Sequence, residues 1–190
     1  MKICGLDPSL TRAGVAVLHN GQPTVLRSAG WGGKDSDSYA QRSERIVAQC
    51  RMVLSLIPTD CDLIVMEGPA YASKTGHAFD RAGLWWGLHA ALHARHIPIA
   101  VCVPNTLKAW ATGNGRAEKE DVHNAVKLRW PDIRVRNHDE ADALALAELG
   151  AIKVNEPLPF PIPGRAQANI KAIAWPSNLC SKRDIAQVKA

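Results

Sequence analysis

The stretch that decides the fold is Gly5-Leu6-Asp7-Pro8-Ser9-Leu10-Thr11-Arg12-Ala13-Gly14-Val15-Ala16-Val17. An apolar run over residues 2–6 leads into Asp7, and a second apolar run covers residues 14–19. Asn20-Gly21 is a strong hairpin turn signal, and residues 24–29 form the next strand-like run. The pattern predicts three consecutive strands, the first of which carries a carboxylate at its carboxyl end.

Beyond this hairpin, apolar strands and helices alternate along the chain. Continuous apolar runs over residues 62–66 and 97–103 predict strands that are buried on both faces. Helical periodicity predicts helices at 39–57, 79–95, 105–112, 117–129 and 139–151. The alternation predicts an α/β domain.

Length and composition exclude several classes of protein. The chain has 190 residues, of which 46% are hydrophobic and 22% charged, enough for one domain with a real core. No apolar run reaches the roughly 18 residues of a membrane-spanning helix, and the first residues lack the pattern of a secretory signal. None of the five cysteines forms a CxxC pair, which predicts reduced thiols in a cytosolic protein and argues against structural zinc.

The charge balance indicates a polyanionic partner. Lysine and arginine number 23 against 18 acidic residues, a formal net charge of +5. We predict one folded domain over residues 1–153, followed over 154–190 by a Pro-rich linker and a basic tail. The tail, with a possible short helix at 166–174, either adds salt-dependent affinity for phosphates or is a solvated terminus without a role.

Acidic residues recur at the ends of predicted elements. Asp7 and Glu67 each end a strand, and Asp139 and Asp142 lie on one face of the first turn of the last helix. Each acid alone is equally typical of an ordinary strand end or helix cap. Taken together they favour a site for Mg²⁺, because oxygen ligands suit this ion and a pair of such ions can assist phosphodiester hydrolysis.

Four motifs resemble those of the RuvC-type Holliday junction resolvases, in the same order over about residues 2–150. They are the opening stretch quoted above, Ile64-Val65-Met66-Glu67-Gly68, the segment from Pro104 to Lys108 with that from Thr112 to Lys119, and His138-Asp139-Glu140-Ala141-Asp142-Ala143-Leu144-Ala145. Any one motif is weak, since the first also occurs in other RNase H-like and actin-like ATPase folds. The four together are specific.

The resemblance implies an RNase H-like α/β fold, with a five-stranded mixed sheet flanked by helices on both faces. It implies a Mg²⁺-dependent endonuclease that resolves four-way DNA junctions by paired symmetric nicks, leaving 5′-phosphate and 3′-hydroxyl ends. The enzyme would be a homodimer with two Mg²⁺ per active site, which Mn²⁺ can replace. It would act in the cytoplasm of a bacterial or phage-infected cell, near the nucleoid, and any branch-migration motor stays unidentified.

The resemblance also assigns roles to individual residues. Asp7, Glu67, Asp139 and Asp142 would be the catalytic metal ligands. Lys108 would lie near the scissile phosphate as a further catalytic residue, unless it and Lys119 are only solvated helix ends. The predicted DNA contacts are Lys108, Lys119, Arg116, Gly113, Gly115 and Tyr71, of which Tyr71 would either stack on bases at the junction or have an ordinary packing role.

Several alternatives stay open at this point. His138 could bind metal or shuttle a proton, although a supporting or helix-capping role is favoured, and Glu140 is predicted to face solvent or a basic side chain. Trp85 and Trp86 are predicted to be buried in the core or at a dimer interface. The altered loop after Glu67 permits action on flaps or forks, and a silent junction-binding protein or an ATPase-like relative is a third possibility.

Overall fold

A computed structural model of the chain describes residues 1–69, 77–177 and 179. Its strands are β1 (Lys2–Asp7), β2 (Ala13–His19), β3 (Gln22–Ala29), β4 (Leu63–Glu67) and β5 (Ile99–Cys102). Its helices are α1 (Tyr39–Leu56), α2 (Ala78–Ala94), α3 (Pro104–Thr112), α4 (Lys119–Arg129), α5 (His138–Lys153) and α6 (Ala166–Lys171). None of the helices described is both long enough and apolar enough to cross a membrane.

The five strands form one mixed sheet in the order β3-β2-β1-β4-β5. The hairpin strands β1, β2 and β3 pair antiparallel, whereas β4 and β5 extend the sheet parallel to β1. Strand β3 begins two residues before its predicted start and contains Pro23, which an edge strand tolerates because one side of its backbone makes no ladder hydrogen bonds. The five-stranded mixed sheet implied by the resemblance is confirmed.

Helices cover both faces of the sheet, and strand alternation sorts the side chains between them. Ile3, Leu63 and Val65 face the layer that contains α5, with α3 and α4 packed against it. Cys4 and Ile64, one position along, face the layer of α1 and α2. Along β1 and β4, odd-numbered residues therefore face the layer of α5, and even-numbered residues face the layer of α1 and α2.

Helix α5 is the central helix, since its residues from Asp139 to Ile152 are all buried. The side chain of Asn137 caps it by accepting a hydrogen bond from the Glu140 backbone N–H at 2.9 Å. Of the two roles favoured for His138, helix capping is therefore wrong, because Asn137 fills that position. Glu140 faces a basic side chain as predicted, at 3.4 Å from Arg136, but it is buried rather than solvated.

Two glycines let α5 lie directly on the hairpin. A Cβ atom added to Gly5 would sit 1.9 Å from the carbonyl oxygen of Ala143, and one added to Gly14 would sit 1.9 Å from that of Asp139. Only residues without a side chain allow this approach. The opening motif therefore sets the height of the first turns of α5 above β1 and β2.

Several described residues beyond 153 contact the same core. Helix α6 packs against α3 and α5, and Ile170 and Ile173 are buried in the α5 layer. Ala174 pairs with Val101 through two backbone hydrogen bonds of 3.1 and 3.2 Å. The division of the chain after residue 153 stays a prediction, and the basic residues beyond 180 lie outside the described part.

Candidate active site

Asp7 and Glu67 end neighbouring parallel strands. The register of β1 with β4 runs from Ile3 opposite Leu63 to Leu6 opposite Met66, so the two acids follow next. Both are odd-numbered, like the residues of β1 and β4 whose side chains face α5. The negative charge of Glu67 is one cause of the raised pKa of Asp7, so the two carboxyl groups lie close together.

The first turn of α5 adds Asp139 and Asp142 to this pair. Gly14 is the partner of Asp7 in the hairpin register, and its backbone touches the backbone of Asp139. Asp7, Asp139 and Asp142 are all buried. The structure thus brings the four predicted acids to one edge of the sheet.

Burial and mutual repulsion raise the pKa of three of these carboxyl groups, those of Asp7, Glu67 and Asp142. Burial, followed by the charge of Glu67, raises the pKa of Asp7 well above its usual range. Burial also raises the pKa of Glu67 to about 7, with the charge of Asp142 adding to the effect. The pKa of Asp142 rises to about 7, first through burial and then through the charge of Asp7. Cations bound nearby would stabilise the ionised form of these carboxyl groups.

Two lysines supply part of this positive charge. Lys119, the first residue of α4, lowers the pKa of Asp7, Glu67 and Asp142 from what burial alone would give, and Lys108 of α3 does the same for Glu67 and Asp142. Lys108 is half-buried and Lys119 is exposed. Both predicted basic residues therefore lie close to the acids.

Arg12 is a site residue to which the sequence assigned no role. Its Nε atom lies 2.6 Å from Oδ2 of Asp139, and its side chain is 53% exposed. Arg12 stands in the opening motif, five residues after Asp7. Because it lies in a loop, no repeating pattern in the sequence predicts which way its side chain points. The site thus presents three cations around its carboxylates.

Comparison with known proteins identifies the family. A family model described as "Crossover junction endodeoxyribonuclease RuvC" matches residues 3–149, which is most of the chain. The chain belongs to the RuvC family. The predicted RuvC-type nuclease, a phosphodiester hydrolase, is thereby confirmed.

Named relatives and solved structures agree with this family. The RuvC of Streptomyces griseus is 34% identical over 77% of this chain and 73% of the relative, and that of Chlamydia caviae is 32% identical over 76% and 89%. The Thermus thermophilus RuvC structure superposes with a TM-score of 0.60, at 21% identity, over 84% of this chain and all of that one. A second structure, of T. thermophilus RuvC in complex with a Holliday junction substrate, also gives 0.60 at 22% identity, over 77% of this chain and 90% of that one.

The turn between α3 and α4 contains the other predicted DNA-contact residues of the RuvC-like basic segment. Gly113 ends α3 with a φ of +89°, and Gly115 follows in the same turn. The turn is ordered by Thr112, whose hydroxyl donates to the Lys108 carbonyl at 2.9 Å and accepts from the Asn114 N–H at 3.0 Å. Arg116 is exposed at its far end. This turn therefore forms an exposed rim between the two lysines.

A tryptophan on the opposite layer holds the end of β4. The Trp85 indole N–H donates to the Glu67 carbonyl oxygen at 2.8 Å, and the ring is buried, as predicted for this residue. Trp86 is instead 63% exposed. Tyr71, the predicted stacking residue of this RuvC-type loop, lies outside the described residues.

Glu148 is a second residue that pattern analysis did not find. Its buried carboxylate accepts hydrogen bonds from the indoles of Trp110 and Trp130, at 2.6 and 2.7 Å, and from Arg129 at 2.7 Å. These partners belong to or adjoin α3 and α4, whereas Glu148 lies on α5. The network therefore fixes the two helices that carry Lys108 and Lys119 to the helix that carries two of the acids.

Proposed function

We propose that this RuvC family member is a Mg²⁺-dependent, structure-selective endonuclease that resolves four-way DNA junctions by paired symmetric nicks. The observation that carries the proposal is the convergence of three buried carboxylates, from Asp7, Asp139 and Asp142, with the half-buried Glu67 beside Lys108 and Lys119. The structure of T. thermophilus RuvC in complex with a Holliday junction substrate supports the choice of a four-way junction as substrate.

The acids fit a divalent metal of the Mg²⁺ class. Burial and the neighbouring charge of Glu67 raise the pKa of Asp7, which marks a position where a cation would relieve repulsion. The donor set consists of carboxylate oxygens alone, the type that Mg²⁺ prefers and Mn²⁺ also accepts. We propose that Asp7, Glu67, Asp139 and Asp142 hold two such ions. When bound, they would supply Lewis-acid stabilisation and a more acidic water.

The chain's own residues orient the phosphate and offset its charge. Hydrolysis joins a water oxygen to phosphorus and breaks the bond from phosphorus to the 3′ oxygen, leaving a 5′-phosphate and a 3′-hydroxyl. Lys108 lies beside Glu67 and Asp142, so its ammonium group stabilises the negative charge that develops at the phosphate. The Trp85 hydrogen bond keeps the end of β4, and so the Glu67 carboxylate, in register with Asp7.

The rim of the site suits the DNA backbone. Lys119 and Arg116 offer exposed charges to neighbouring phosphates, and Gly113 and Gly115 allow backbone amides to approach closely. Tyr71 is the proposed stacking residue at the branch point. Because the substrate is cellular or phage DNA, we place the activity in the cytoplasm.

Paired nicks require two active sites, so we propose a homodimer formed through α1 and α2. Three aromatic side chains are largely exposed on these helices: Tyr39, Phe79 and Trp86. Tyr39 and Phe79 also line a cavity of about 430 Å³ between the two helices. A second copy of the chain would cover this apolar surface.

The decisive test is cleavage of synthetic four-way junctions in Mg²⁺ with mapped cut positions. We expect symmetric nicks by the wild type, a rate at least about 100-fold lower for Asp7→Asn, and unchanged cleavage by Asp132→Asn, whose carboxylate is exposed and outside the site. Flaps and forks serve as competing substrates. Failure to cut several junction sequences, preferred cutting of flaps or forks, or undiminished cleavage by Asp7→Asn would each overturn the proposal.

A further inference from the structure

Three side chains with metal-binding chemistry meet where α4 and α5 begin. One ligand atom from each of Glu120, His123 and His138 lies within 4.8 Å of those of the other two. The His138 Nε2 atom is 3.5 Å from Oε2 of Glu120, and the rings of His123 and His138 have centroids 5.2 Å apart. The cluster joins the consecutive helices α4 and α5.

The two imidazoles have ring nitrogens that the surrounding protein leaves available. The Nε2–H of His123 donates to the carbonyl oxygen of Val135 at 3.3 Å, an arrangement that leaves the Nδ1 lone pair for a ligand. Metal-binding histidines commonly donate their second ring N–H to such a carbonyl. The Nδ1 atom of His138 is buried and has no hydrogen-bond partner among the residues described. The ring of His138 is therefore incompletely satisfied by the protein alone.

The chemistry of this cluster differs from that of the catalytic carboxylates. Two imidazoles and one carboxylate are typical ligands of Zn²⁺ and other late transition metals, whereas Mg²⁺ prefers oxygen alone. We propose that Glu120, His123 and His138 form a Zn²⁺-class metal site, separate from the site of Asp7 and Glu67. Because Glu120 and His138 are partly exposed, water completes the coordination and the metal exchanges with solvent.

A metal at this position joins α4 to α5 beside the active site. Lys119 directly precedes Glu120, and Asp139 directly follows His138. The metal therefore holds the start of α4, which carries Lys119, against the start of α5, which carries Asp139. Its role is to stabilise this arrangement, and no step of phosphodiester hydrolysis passes through it.

Cobalt is the probe that tests the site, since imidazole-bound Co²⁺ absorbs visible light. The Asp7→Asn, Asp142→Asn double variant serves as the starting protein, so that carboxylate-bound metal does not obscure the result. We expect it to bind one equivalent of Co²⁺ with imidazole-type d–d bands, and Zn²⁺ to displace the Co²⁺ and raise the Tm. Adding His123→Ala or Glu120→Gln should weaken Co²⁺ binding at least tenfold and remove the Zn²⁺ effect on Tm.

The matched control is His93→Ala, which removes an exposed imidazole from α2 and should change neither readout. Circular dichroism verifies that each variant is folded, and Glu120→Gln carries the test if His123→Ala is not, because the Glu120 side chain is 66% exposed. The proposal is overturned if the starting protein binds no Co²⁺, or if its spectrum and affinity persist in the folded Glu120 or His123 variant.

Discussion

Arg12 and Asp139 form an ion pair in which the guanidinium Nε lies 2.6 Å from the carboxylate Oδ2. A cation from the opening motif thus already contacts one of the proposed metal ligands. Arg12 and a divalent ion compete for the same carboxylate in the DNA-free protein.

Replacing Arg12 by glutamine should therefore tighten metal binding. Removing a half-exposed positive charge beside the site is worth about 1 kcal/mol, which corresponds to an affinity about fivefold higher. Calorimetric titration of Mn²⁺ into the DNA-free protein measures it, with Arg51→Gln on the exposed surface of α1 as control. An unchanged or weaker affinity would show that Arg12 does not compete with the metal.

The raised pKa of Asp142 predicts how stability depends on pH without metal. Its pKa increases from 3.8 in the ordinary state to about 7 in the fold, so its protonation stabilises the folded protein. This stabilisation is complete below about pH 4 and is lost as pH rises through about 7. In EDTA, Asp142→Asn should therefore be more stable than the wild type at pH 8.5, by on the order of 2 kcal/mol.

Thermal melts of both proteins at pH 5.5 and 8.5 check this expectation. The difference between wild type and variant should be roughly half as large at pH 5.5 as at pH 8.5, because the loss accumulates between about pH 4 and 7, and Mg²⁺ should raise the Tm of the wild type more than that of the variant. A wild type that is more stable than Asp142→Asn at pH 8.5 in EDTA would contradict the prediction.

The buried Glu148 network should be necessary for stability. Glu148→Gln keeps the shape of the side chain but leaves Arg129 without its charge partner, at a cost of about 3 kcal/mol. Urea unfolding measures the change. Glu44→Gln, at an exposed position of α1, should shift stability by less than about 0.5 kcal/mol. Equal effects of the two substitutions would exclude a stabilising role for this network.

Lys119 should contribute one electrostatic contact to DNA. We expect Lys119→Ala to weaken junction binding and to reduce the slope of log affinity against log salt by about 1. Lys127→Ala is the matched control, since Lys127 is exposed about 12 Å further along the same helix. Gel-shift titrations at several salt concentrations, with EDTA present to prevent cleavage, give both slopes, and identical slopes for the two variants would count against the predicted contact.

The proposed dimer surface should be sensitive to a charge at Phe79. Phe79→Glu should give a monomer in sedimentation experiments at concentrations where the wild type is a dimer. Leu128→Glu places the same charge at a comparably exposed apolar position on α4, where no dimer contact is proposed, and should leave the dimer intact. A dimeric Phe79→Glu protein would move the interface elsewhere.

Much of the fold could be predicted from local patterns. Except for α6, which ends three residues before its predicted limit, each strand and helix lies within about two residues of its predicted bounds, because apolar runs and helical periodicity reflect burial on a sheet or against it. The four acids were found for a related reason. Strand ends and first helical turns are positions that a sequence displays, and the two-residue alternation of β1 and β4 aims Asp7 and Glu67 toward α5.

The features that the sequence did not reveal depend on contacts between distant segments. The Arg12–Asp139 pair joins residues 127 positions apart, and no local pattern aims a loop arginine at a helix. In the sequence, Glu148 is one more charged residue of a predicted helix. Only the fold brings the indoles of Trp110 and Trp130 to its carboxylate. The packing of α6 onto α3 escaped prediction because six helical residues among prolines carry little periodicity.

The contact of Gly5 and Gly14 with the carbonyls of α5 has a consequence for how sequences of this fold can vary. The distance between the acids of β1 and those of α5 is set by backbone touching backbone, without intervening side chains. Exchanges among the apolar residues beneath α5 can therefore accumulate without moving the catalytic carboxylates apart. An alanine at either glycine would lift the first turns of α5, so that a single methyl group would cost activity before it cost the fold.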